Sequence, residues 1–117
     1  MAQRNEVILV GRINDKVKYA LSQSGNEYVY FLLNVENQNN PNEVAAQYYQ
    51  NLHVTCFKRP VVKYLKTVEA KGGNIVVIFG YVGSFSNEIK GKYMIQNTII
   101  AKEIFVVKTK AWTIWMK

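Results

Sequence analysis

The sequence predicts one all-β domain, a five-stranded barrel with a single helix between its third and fourth strands. Three observations predict it. The 117 residues and 49% hydrophobic content suit one domain with a modest core. Short β-branched and aromatic runs alternate with Asn-, Gly- and Pro-containing punctuation. Only one segment, Arg59 to Val68, spaces its apolar residues as a helix does. A domain this small buries somewhat over ~60% of its unfolded-chain surface, so association with further copies is expected to help its stability.

The elements follow in order. Val7 to Ile13 is β-branched and continuous, which predicts a strand buried on both faces, with Gly11 permitting a bend or bulge. Asn14-Asp15 punctuates it, and Lys16 to Leu21 begins a second edge or a loop before the turn Ser22 to Asn26. Tyr28 to Glu36 is the second strand. If Phe31, Leu33 and Val35 face the core, Tyr28, Tyr30, Leu32 and Asn34 share the opposite face, which is too apolar and aromatic to be merely solvated. Asn37 to Asn42 reads as a loop extending to Gln47. In the third strand, Tyr48 to Phe57, Leu52, Val54 and Cys56 alternate with His53, Thr55 and Phe57. Pro60 suits a first helical turn, and Val61, Tyr64, Leu65 and Val68 fall on one stripe that Tyr64 helps pack onto the barrel. Lys71-Gly72-Gly73-Asn74 stops the helix. Ile75 to Val82, interrupted by Gly80, is the fourth strand; Ser84 to Lys92 is a polar loop; Tyr93 to Val107 is the last strand or strand pair. Phe31, Phe79 and Phe105 are expected in the core. The order is that of an OB-type barrel. Residues 1–107 form this domain, and 108–117 a short aromatic and basic tail with Trp112 and Trp115. Two tryptophans seldom stay in solvent, so they are expected to pack on a neighbouring subunit, cover the barrel, or stack on bases.

Composition narrows the function. Fifteen Lys and Arg against eight Asp and Glu give a net charge of +7, which points to polyanionic partners such as nucleic acid, or to anionic membranes. Eight tyrosines and five phenylalanines accompany the charge, and rings with cations are the means of base stacking and phosphate tracking. The single cysteine, Cys56, allows no intrachain disulfide, so a reducing compartment is expected, with Cys56 a small buried hydrophobe. No stretch reads as a signal peptide, and the longest apolar run, Ile75 to Phe79, is far too short for a bilayer; a soluble, intracellular protein with no membrane partner is expected. His53 lacks neighbours at metal-ligand spacing, Gly72-Gly73 lacks the Lys-Ser/Thr of a phosphate loop, and no nucleophile elbow or carboxylate pair stands out. No enzyme, cofactor or metal is expected. His53 itself is expected on the ligand-facing side of its strand or as a satisfied surface group.

Four segments carry a resemblance to bacterial and bacteriophage single-stranded DNA-binding proteins. Asn5-Glu6-Val7-Ile8-Leu9-Val10-Gly11-Arg12-Ile13 is similar to their opening strand, and Tyr30-Phe31-Leu32-Leu33-Asn34-Val35 to their second. Phe57-Lys58-Arg59-Pro60 resembles their aromatic-basic-basic-Pro entry to the helix. Tyr64-Leu65-Lys66 with Lys71-Gly72-Gly73-Asn74-Ile75-Val76-Val77-Ile78-Phe79-Gly80 resembles the segment from helix to fourth strand. The chain departs from the family twice. It stops at Trp115-Met116-Lys117 where cellular members continue into a linker and an acidic tip, which favours a phage or mobile-element version; and Gln50-Asn51-Leu52 stands where a stacking aromatic is often found, a job Tyr48 or Tyr49 would take over.

The resemblance implies sequence-independent binding and protection of single-stranded DNA in replication, recombination or repair. It also implies a homotetramer, or a dimer, in the cytoplasm of a bacterial or phage-infected cell, with replication or recombination proteins as further partners. The stacking candidates are Tyr28, Tyr30, Tyr49, Phe57 and Phe85, Phe57 foremost because the resembling family position is an aromatic on the DNA face. The phosphate candidates are Arg12, Lys16, Lys18, Lys58, Arg59, Lys90 and Lys92, expected to rim one groove, with Lys90-Gly91-Lys92 a basic finger at a hairpin tip. The groove is expected across the second and third strands, between the loops after strands one and four. Two other readings fit the barrel: a primosome-type protein that binds DNA and partner proteins, and a protein-interaction barrel whose aromatic face is an oligomer interface.

Overall fold

A computed structural model describes residues 4–36 and 49–107. In chain order they form β1 (Val7–Leu21), β2 (Glu27–Glu36), β3 (Tyr49–Cys56), α1 (Arg59–Thr67), β4 (Ile75–Ile89) and β5 (Lys92–Val107). The strands close in the order β1-β2-β3-β5-β4, all antiparallel except β3 with β5, which closes the barrel through Val54↔Ile99 and Thr55↔Ile100. This is the five-stranded OB barrel, with its helix between the third and fourth strands.

β1 serves two neighbours because it bends. Val7 to Arg12 pairs with β4 and Arg12 to Leu21 with β2, and the β1–β2 register shifts between Asn14 and Lys18. Asp15 sits in that shift at φ 67°, a left-handed conformation that a short polar side chain tolerates. The loop after α1 braces the bend. The Ile13 amide donates to the Asn74 carbonyl and the Gly73 amide to that of Ile13, each at 2.8 Å. A Cβ on Gly72 would lie 2.0 Å from the Asp15 carbonyl oxygen, so only glycine lets the loop come this close. The segment Lys16 to Leu21 is therefore a continuation of the first strand.

Inward alternation builds the core from Ile13, Val29, Phe31, Leu33, Val54, Cys56, Val76, Ile78 and Ile104, closed at one end by Val62 and Leu65 of α1. The Tyr64 hydroxyl accepts the Val106 amide at 3.0 Å, which pins the helix to β5 as its stripe predicts. Burial holds the Cys56 thiol above its ordinary pKa, partly offset by the Lys58 backbone amide and charge.

Three expectations are corrected. β1 is not buried on both faces: Ile8 and Val10 point outward, 67% and 41% exposed. Phe79 and Phe105 also leave the core. Val76, Ile78 and Ile104 hold the inward positions, so a period of two turns Phe79 and Phe105 out, where they meet edge to face at 6.0 Å and Phe105 is 50% exposed. Finally, Ser84 to Lys92 is not a loop. β4 runs to Ile89 and β5 starts at Lys92, joined by Lys90 and Gly91 at φ 54° and 78°, the backbone of a type I′ hairpin turn. The backbone ladder from Ser84↔Asn97 to Ile89↔Lys92 makes this polar segment strand.

Candidate nucleic-acid interface

Strand parity sets the outer wall. With Val29, Phe31 and Leu33 buried, β2 presents Tyr28, Tyr30, Leu32 and Asn34 outward, and the register aligns each with partners on β1 and β3. One row reads Lys18–Tyr30–Thr55, the next Asn14–Leu32–His53, and the last Arg12–Asn34–Asn51. At the other end Phe57, just past β3, packs its ring on Tyr28.

The three rings make a continuous platform. The Tyr28 centroid lies 5.4 Å from Phe57 and 5.9 Å from Tyr30, with tilted planes. Tyr30 is 38% and Phe57 48% exposed, so these ring faces are open to a flat ligand. Lys18 holds its ammonium 5.9 Å from the Tyr30 centroid, a cation over the edge of the platform. Beside the rings a concavity of about 300 Å³ is floored by His53, Thr55 and Thr98. The Thr98 hydroxyl donates to the His53 carbonyl at 2.9 Å, fixing the β3–β5 seam beneath it. Past Phe57 a polar depression continues the track among Ser22, Ser24, Asn26 and Arg59. The turn after β1 thus lines this depression.

The predicted residues divide. Tyr28, Tyr30 and Phe57 come together, and Arg12, Lys18 and Arg59 lie along the same track. Lys16 is exposed in the β1 bend, and Lys58 is exposed at the residue before α1. Lys90 and Lys92 stand exposed at the ribbon tip, the far end of a ladder running from Tyr81↔Ile100 to Ile89↔Lys92. The backbones of Tyr49 and Phe85 pair with Glu36 and Gln96, but their side chains lie outside the described residues, as do Tyr48 and the tail with Trp112 and Trp115. Lys63 and Lys66 sit on the helix, and Lys66 pairs with Glu27 at 2.6 Å.

What the sequence reading missed is the amide end of the wall. Asn14 and Asn34 both donate their Nδ2 to the Asn51 Oδ1, at 3.4 and 3.1 Å. The outward parity of Asn34 was the available signal; the cross-strand meeting with Asn51 required the register. Among the described residues no cluster of His, Cys, Asp or Glu could hold a metal, and no helix is long and apolar enough to cross a membrane.

Comparison with known proteins agrees with this fold. The model of the single-strand binding protein family matches residues 4–106. Among solved structures, the single-strand binding protein of Plasmodium falciparum in complex with single-stranded DNA superposes with a TM-score of 0.74 at 14% identity, over 92% of this chain and 98% of that one. The mitochondrial single-stranded DNA-binding protein of S. cerevisiae superposes with a TM-score of 0.67 at 17% identity, over 92% and 97%. At these identities the structures show a shared fold. No curated protein sequence matches the chain.

Proposed function

This chain belongs to the single-strand binding protein family, a family of non-enzymatic proteins, and on that premise we propose that it coats single-stranded DNA of any sequence along the β1–β2–β3 wall. The observation that carries the mechanism is the ring platform Tyr28–Tyr30–Phe57 bordered by Lys18 and Arg59. Every base has a π-face, so stacking on open rings is indifferent to sequence, and duplex DNA hides those faces. The cations along the track hold the phosphates, a salt-dependent contribution with a slope of roughly −0.7 per contact for single strands. Tyr49 and Phe85 extend the stacking set, and Lys16, Lys58, Lys90 and Lys92 the phosphate set. The activity serves replication, recombination or repair in the cytoplasm of a bacterial or phage-infected cell, alongside replication or recombination proteins; the single cysteine, which leaves no intrachain disulfide, supports a reducing setting.

The protein works as a homo-oligomer, a tetramer or its dimeric half. Supporting this, Ile8, Val10 and Phe105 expose 67%, 41% and 50% of their surfaces on a sheet face that also carries Val77 and Phe79, away from the ring platform. Titration with oligo-dT tests the reading. Single strands should quench tyrosine and tryptophan emission and release with salt. An absent response would leave a protein-interaction barrel, and equal competition by duplex would overturn coating. Mass in solution, with Ile8→Glu expected to give smaller species, tests the assembly.

A further inference from the structure

The wall is chemically polar along its length. One end is aromatic; the other, at the row Arg12–Asn34–Asn51, is built of amides and a guanidinium. We propose that this second end reads the rim of an unpaired base and favours guanine, which adds a graded base preference to the sequence-tolerant stacking proposed above, on which this inference rests.

The hydrogen bonds set the array. Two amides donating to the single Asn51 Oδ1 use both its lone pairs. Each donor amide is thereby oriented, its Nδ2 turned toward Asn51 and its Oδ1 directed elsewhere. Asn14 and Asn51 are exposed and Asn34 half-buried, so the oxygens of Asn14 and Asn34 are acceptors available to a ligand. Arg12, exposed and in register with Asn34, sets a fork of donors beside them. This end of the wall thus sets the donors of Arg12 next to the acceptor oxygens of Asn34 and Asn14.

Guanine matches that arrangement. Around one rim it presents two adjacent acceptors, N7 and O6, followed by two adjacent donors, N1–H and the N2 amino group. Adenine alternates acceptor, donor, acceptor; thymine alternates likewise; cytosine runs donor, acceptor, acceptor. In a single strand the whole rim is open, so the Arg12 fork takes N7 and O6, the commonest specific contact of arginine with a base. The oxygens of Asn34 and Asn14 then accept from N1–H and the amino group. Asn51 touches no base in this arrangement. It is a positioning residue, holding the other two amides in the orientation that guanine needs.

The test scans a single dG through a dT oligonucleotide of fixed length and measures affinity at each position against all-dT. One position should bind about fivefold tighter, the weak end of what a bidentate base contact supplies at an exposed site. 7-Deazaguanine or inosine at that position should remove most of the gain, since each lacks one group of the rim. Asn51→Leu should abolish the preference, read as the ratio of dG-containing to all-dT affinity within the same variant. Asn51→Asp should preserve it, because a carboxylate oxygen still accepts both Nδ2 donors, even as the added charge weakens binding to every sequence alike. Equal affinity at all positions, a stronger gain from dA or dC, or a preference that survives Asn51→Leu would each overturn the inference. These results are separable from failure of the underlying reading, which would appear as loss of all-dT binding by the unsubstituted protein.

Discussion

Removal of the Phe57 ring tests the stacking platform most directly. The ring is 48% exposed and lies outside the core, so Phe57→Ala should cost little fold stability, well under the ~3–5 kcal/mol of a buried Phe→Ala change. Its effect belongs to binding. A stacked base is worth ~1–3 kcal/mol by alanine substitution. Tyr28 sits 5.4 Å away and still offers a partial surface, which places the loss toward the lower end, ~1–1.5 kcal/mol or about tenfold in affinity for oligo-dT. Fluorescence anisotropy of a labelled oligo-dT at several salt concentrations measures both quantities needed. The affinity should fall about tenfold at every salt, with the slope of log K against log salt unchanged, because a ring neutralises no phosphate. An unchanged affinity, or a loss accompanied by a shallower slope, would refute the assignment of Phe57 to base stacking.

Other outcomes follow from the same wall and its support. Lys18→Gln should make the salt slope shallower by roughly 0.7 if its ammonium meets one phosphate, and equal slopes for the two proteins would exclude that contact. Gly80→Ala would place a Cβ 2.1 Å from the Ile100 carbonyl oxygen at the β4–β5 bulge, and should lower unfolding stability by ~1–3 kcal/mol or more in urea denaturation. Leu65→Ala, deleting a fully buried helix side chain, should cost ~2–5 kcal/mol by the same measurement. The Cys56 thiol has its pKa raised by burial, so the fold favours its protonated form; its contribution to stability is fully present below the unfolded-state pKa and fades as pH climbs from there through the folded value. Cys56→Ser should therefore flatten the alkaline decline in stability, and a thiol reagent should label the native protein far more slowly than the urea-unfolded one.

The sequence by itself determined the order of strands and helix, the inward set of β2 and β3, and the outward company of Tyr28, Tyr30 and Phe57. These are local matters: side chains alternate with period two along a strand, and a helix repeats every 3.6 residues, so composition along each segment reports which face is which. The same logic failed where local composition was ambiguous. Val7 to Val10 is apolar throughout, and the run cannot disclose that Ile8 and Val10 face outward rather than into a second layer. Ser84 to Lys92 is polar, and polarity alone does not separate the arm of a hairpin from a loop; the backbone pairing with β5 decides it. Tertiary structure also decided every contact across strands. The bend at Asp15 lets β1 pair with both β4 and β2, and that register sets Arg12 beside Asn34 and Asn34 beside Asn51. Residues 12, 34 and 51 are far apart along the chain, and their meeting is a consequence of the β1–β2 and β2–β3 registers, which no single segment encodes.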